Sequence, residues 1–180
     1  MTLAHAYYLL AVILAVPAAF LLSPESGYAR LRAFPRSRSA AFLLFGAAAT
    51  WFLYGIATMG EADLAGIPRV VMLGAFGGAA IAAFVYLPDL LAVRGLAGLL
   101  LLTSRHLLDA GFGKLPHSLV SAALTYALLI LPAIVYGTAP YLLRDWIGVV
   151  TRSRARGRTV GGIFLALAVI GAVLGVTLPA

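Results

Sequence analysis

Apolar residues in this chain run in long blocks separated by short polar ones. Blocks at residues 3–22, 40–59, 70–88, 90–108, 118–138 and 160–178 are rich in Leu, Ala, Val, Ile, Phe and Gly, and only the fourth contains charge, at Arg94 and Arg105. A helix rises about 1.5 Å per residue, so about 20 residues cross a hydrocarbon core of about 30 Å. Each block has that length. None alternates apolar and polar at every second position, as the strands of a membrane barrel do. A helix also satisfies its own backbone polar groups, which lipid cannot do. The pattern predicts an all-α polytopic membrane protein: a bundle of about six transmembrane helices in one domain, 1–180. The region 70–108, interrupted at Pro88-Asp89, is read here as two spans, with a re-entrant element as the alternative.

Composition agrees with this picture. Residues are 63% hydrophobic and 11% charged, and mean hydropathy is +1.03. One soluble core of this size cannot hide so much apolar surface, so the solvent is lipid. Met1 to Tyr8 carries no Lys or Arg, whereas four arginines follow the first block, so that block reads as a retained helix and not a secretory leader.

Arginine placement sets the expected topology. Arg30, Arg32, Arg36 and Arg38 follow the first span, Arg94 begins the fourth, and Arg144, Arg152, Arg154, Arg156 and Arg158 lie between the fifth and sixth. The opposite side receives Arg69, Arg105 and Lys114. The positive-inside bias puts the richer side in the cytoplasm and both termini outside. The net charge of +7 is accounted for by these span-flanking clusters, which attract anionic lipid headgroups, so no nucleic-acid partner is expected. The near-exclusive use of Arg over Lys hints at a GC-rich bacterial genome, and the expected location is a bacterial inner membrane. The chain has no cysteine, which excludes disulfides and thiolate chemistry.

Residues 141–150 are too short to span and contain Arg144-Asp145. They are expected to form an interfacial helix, with Tyr141 and Trp146 at headgroup level. The first and last basic turns share a Tyr (Tyr28, Tyr141) and an Arg-Ser-Arg at 36–38 and 152–154, a faint sign of an internal repeat that the middle hairpin lacks. Two rows of small residues are suited to helix packing: Gly74 and Gly78 in the third span, Gly171 and Gly175 in the sixth. Both are expected to pack within the chain. Of the two, the terminal sixth helix is the better candidate for a subunit contact.

Polar residues inside the spans are the candidates for chemistry. Arg94 and Arg105 stand eleven apart, within about 20° of one face, and Asp109 continues the stripe four residues on, so it can pair with Arg105. Ser118, Ser121 and Thr125 form a stripe on the fifth span, followed by Pro132, which leaves the Leu128 carbonyl without its donor and bends the helix. Thr50, Tyr54 and Thr58 form a stripe on the second. With His106, these residues outline a polar pathway: Arg94, Arg105, His106, Asp109, Ser121, Thr125, Thr50 and Tyr54. The three histidines, His5, His106 and His117, all fall toward the outer side, but their spacing matches no metal motif. No phosphate loop, paired carboxylates or Ser–His–Asp arrangement is present. The expectation is therefore a non-catalytic structural or accessory membrane component, with no cofactor or metal. Its expected partners are the bilayer and, beyond it, other membrane subunits or further copies. The first alternative is a small oligomeric transporter or channel with an outward vestibule around Arg105, Asp109, Ser121 and Thr125. The second is a lipid-modifying enzyme.

Overall fold

The computed structural model describes residues 1–177 and is helical, with no strand among them. In chain order the helices are α1 (Leu3–Leu22), α2 (Glu25–Ala33), α3 (Arg38–Thr58), α4 (Arg69–Tyr86), α5 (Leu91–Gly111), α6 (Leu119–Leu124), α7 (Leu131–Thr138), α8 (Pro140–Val150) and α9 (Arg154–Thr177). A π-helical stretch, Thr125–Ile130, joins α6 to α7, so that Leu119–Thr138 is one rod. Six helices among the described residues are long and apolar enough to cross a membrane. Region 70–108 is two of them: α4 stops at Tyr86, and Leu90 takes φ +58° in the turn before α5. Residue 178, the expected end of the last span, lies outside the described residues.

Between helices in lipid, Leu burial gives no net drive, and close approach through small residues is the source of attraction. The α1–α9 pair shows how. α1 presents Leu3, Ala6, Tyr7, Leu10, Ala11, Leu14, Ala18 and Leu21 as one buried stripe. The buried residues of α9 are Gly157, Gly161, Ala168, Gly171 and Gly175, and all but Gly157 face α1. Gly171 lies against the Tyr7 carbonyl and Ala11, Gly175 against the Tyr8 ring, and Gly161 against Leu21 and Leu22. The helices are thus antiparallel, and the start of α1 and the end of α9 meet at one end of the bundle.

α5 is the hub. Its Gly95 sits directly on the Leu44–Phe45 backbone of α3, Gly98 on Ala48, and Ala97 faces Gly137 of α7. Leu107 and Ala110 join Ala6, Leu10 and Leu14 of α1, Leu129 and Ala168 in the main core. Beyond α3 lies α4, which buries no residue. It reaches α3 through aromatic edges: Phe84 on Phe45 (5.2 Å between centroids) and Phe76 on Phe52 (5.2 Å).

Of the two glycine rows, one meets expectation and one does not. Gly171 and Gly175 pack within the chain as expected, covered by α1. Gly74 and Gly78, expected to pack inside the chain, are exposed, and a methyl added at either would meet nothing within 4 Å. The reason is that α4 lies at the edge of the bundle, and its phenylalanines and Ala83 make its contacts with α3 and the start of α5.

Two features of the basic end were not anticipated. Residues 25–33, read as loop, form α2, and the Arg-rich stretch after Ser153 is already the first turn of α9. The two Arg-Ser-Arg motifs have a local explanation in helix capping. Ser37 accepts from the Ala40 N–H at 3.2 Å, and Ser153 from the Arg156 N–H at 3.2 Å. Residues 141–150 do fall in a short helix, α8. Its Leu143, Ile147 and Val150 face inward, and Trp146 packs edge-on against Phe164 of α9 at 6.5 Å, so Trp146 is turned toward the protein.

Candidate functional site

Polar contacts gather at the two ends of the bundle. At the end where α1 begins, the Tyr7 hydroxyl enters the backbone ladder of the fifth rod. It donates to the His117 carbonyl at 2.7 Å and accepts from the Ser121 N–H at 3.1 Å. Those two groups would otherwise bond each other as the i→i−4 pair of a helix. One phenol thus stitches the first span into the fifth. One turn on, Thr125 donates to the Ser121 carbonyl at 2.7 Å. Ser121 itself is fully enclosed, and its hydroxyl has no partner. It borders a cleft of about 90 Å³, with Ser118, Leu107, Leu108, Phe112 and Ala122 around it.

The expected pathway residues do not converge on that cleft. Arg105 and Asp109 form the anticipated i, i+4 pair, at 3.9 Å, with side chains 80% and 70% exposed. They point away from the enclosed Ser121 and Thr125, so the outward vestibule drawn through all four is two separate places. The neighbours decide this: the Leu107–Ala110 side of α5 takes α1, which leaves the Arg105–Asp109 side outside. His106 stacks on Trp51 of α3, centroids 5.4 Å apart and planes 12° apart. Thr50 and Tyr54 lie on the exposed side of α3, and Arg94 is half-buried at the opposite end of α5 from Arg105. The histidines have separate surroundings too: His5 sits beside the Thr2 hydroxyl, and His117 serves through its carbonyl. Among the described residues no group of three or more His, Cys, Asp or Glu is placed to hold a metal ion.

The opposite end gathers the basic loops into a clasp that the sequence reading missed. Arg32 of α2 donates from Nε to the Thr151 hydroxyl at 2.8 Å and from Nη2 to the Thr151 carbonyl, closing the C-terminus of α8. A cation is favoured at that end of a helix. In return, Arg154 at the start of α9 pairs with Glu25 at the start of α2 (2.9 Å), donates to the Ser23 carbonyl (3.3 Å), and lies 5.2 Å from the Tyr28 ring centroid. Tyr28 rests on Gly157, where any side chain would collide with its ring. Arg36 pairs with Asp89 at 3.5 Å. Asp145, hydrogen-bonded to Arg144 and charged beside it, holds that guanidinium above its ordinary range. The serine caps were open to recognition in the sequence. The Arg32–Thr151 and Arg154–Glu25 contacts join residues more than a hundred positions apart and leave no local signal.

No protein-family model, no curated protein and no solved structure matches this chain.

Proposed function

We propose that this protein is a non-catalytic, multi-pass component of a bacterial inner membrane that works by joining a larger membrane assembly through α4. One observation carries this reading: α4 buries none of its residues, touching the bundle only through its α3 contacts and through Ala83 and Phe84 near the start of α5, with Gly74 and Gly78 facing outward. Lipid fills such a surface poorly. Small residues let a partner helix approach to backbone contact, which is the main source of attraction between helices in a bilayer. The basic end, with its capped and clasped arginines, is assigned to the cytoplasmic side by the positive-inside bias. The transporter reading draws less support, because its vestibule residues are divided between an enclosed cluster and an exposed pair.

The test is gentle extraction from the native membrane, then native mass spectrometry of the wild type and of Gly74→Ile/Gly78→Ile. The expected result is a stoichiometric complex with another membrane subunit that the double variant loses while remaining folded. A lone chain whose behaviour the double variant leaves unchanged overturns the proposal. A homo-oligomer lost in the variant keeps α4 as the contact but overturns the accessory role.

A further inference from the structure

The arginines of the basic end divide into two sets. Arg32, Arg36, Arg144 and Arg154 are engaged by Thr151, Asp89, Asp145 and Glu25. Arg30, Arg38, Arg94, Arg152, Arg156 and Arg158 have no hydrogen-bonded or ion-paired partner among the described residues. Of this second set, Arg30 borders a cleft, of about 180 Å³, where the last turn of α1 meets α2.

The cleft is amphipathic by construction. Gly27 seats α2 directly on Ser23 and the Phe20 carbonyl, where a methyl group would collide with both. This close approach brings Ser26 and Arg30, four apart and therefore on one face of α2, over Ala19 and Phe20 at the end of α1. The apolar floor does not end there. Val12, Val16 and Ala19 are exposed and follow one another at i, i+4 and i+7, a continuous stripe along α1 that leads into the cleft. The neighbouring carboxylate, Glu25, is neutralised by Arg154. What remains is an uncompensated guanidinium and a serine hydroxyl above an apolar track. The volume falls below the roughly 300 Å³ at which pockets begin to enclose a drug-sized ligand. It suits a compact anionic head whose remainder stays outside.

We infer that this cleft is a binding site for the phosphate head of an anionic phospholipid, with Arg30 and Ser26 on the phosphodiester and an acyl chain along Val12, Val16 and Ala19. Guanidinium favours phosphate because its planar fork of donors matches the phosphate oxygens. The site is separate from the α4 surface and does not depend on the assembly role.

The experiment uses the full chain, delipidated in detergent and titrated with phosphatidylglycerol, phosphatidylcholine or inorganic phosphate, with bound adducts read by native mass spectrometry. Phosphatidylglycerol is expected to bind the wild type. Arg30→Gln is expected to weaken it about five-fold, the weight of one basic residue at an anionic surface. Arg158→Gln, outside the cleft, is expected to leave it unchanged. Ser26→Ala gives a second, milder loss that does not alter charge, and circular dichroism confirms that each variant is folded. Equal losses in Arg30→Gln and Arg158→Gln would mean a diffuse basic field and overturn the site. Equal binding of phosphatidylcholine, or displacement of the lipid by millimolar inorganic phosphate, would overturn the anionic-lipid assignment.

Discussion

Gly95 and Gly74 are both span glycines, yet their surroundings give opposite expectations. A methyl at Gly95 lands on the backbone of Leu44 and Phe45, which cannot swing aside as a side chain can. Gly95→Ala must push α3 off α5 and is expected to cost about 1–3 kcal/mol, the range of overpacked cores. Gly74→Ala meets open space and gains helix propensity, so its effect is expected to be neutral or stabilising by up to about 1 kcal/mol. Thermal unfolding in one detergent ranks the two, and a Gly95→Ala protein as stable as wild type would refute the contact. Tyr7 and Ser121 form a second pair. Tyr7→Phe removes the bridge between the Ser121 N–H and the His117 carbonyl and is expected to destabilise by about 1–3 kcal/mol. Ser121→Ala removes a buried hydroxyl that has no partner, and is expected to leave stability equal or higher. A large loss in Ser121→Ala would show that the hydroxyl has a partner after all.

At the scale of helices, what could be read from the sequence depended on whether the signal was local. α1 runs over Leu3–Leu22, as its apolar block does, because the length and composition of the block are local signals. α2 was not legible, since a short polar stretch with Gly27 and two arginines reads as loop and only contacts with Thr151 and Arg154 show what it holds. The polar stripes on the spans were legible as stripes. Which neighbour covers each was not, because that depends on the order of helices around α5. Pro132 was expected to bend its rod, and a π turn lies just before it. The cause is partly packing. Ser121, Thr125, Leu129 and Ala133 are all buried at strict four-residue spacing. In an α-helix such spacing drifts about 40° per step. A stretch of i→i+5 bonding, with more residues per turn, takes up the drift and keeps all four on the bundle face. Packing is therefore expected to retain the wide turn in Pro132→Ala. Ala133→Cys, in a chain otherwise without cysteine, should resist a thiol reagent with or without that change. Labelling that appears only beside Pro132→Ala would show that proline alone imposes the turn.

The whole molecule is polarised along its long axis. The start of α1, the end of α9 and the turns before α4 and α6 share one end, while α2, α8 and ten of the thirteen basic residues belong to the other. That asymmetry makes an orientation in the membrane testable without disturbing the fold, because no native cysteine gives background labelling. Thr2 and Ala62 are exposed at the first end, and Ala29 and Ala155 at the second. Each is replaced singly by Cys and treated with a membrane-impermeant thiol reagent. In intact bacterial cells Thr2→Cys and Ala62→Cys are expected to label, and Ala29→Cys and Ala155→Cys only after permeabilisation, because moving the basic clusters across a bilayer is what the positive-inside bias opposes. The reverse pattern would place the clasped arginines outside. It would also remove the cytoplasmic leaflet, with its anionic lipids, as the setting for the Arg30 cleft. Labelling of Thr2→Cys and Ala155→Cys from the same side would be the more damaging result. Those positions flank the antiparallel α1–α9 pair at opposite ends, so the packing of Gly161, Gly171 and Gly175 against α1 could not then be a contact between two helices that cross the bilayer.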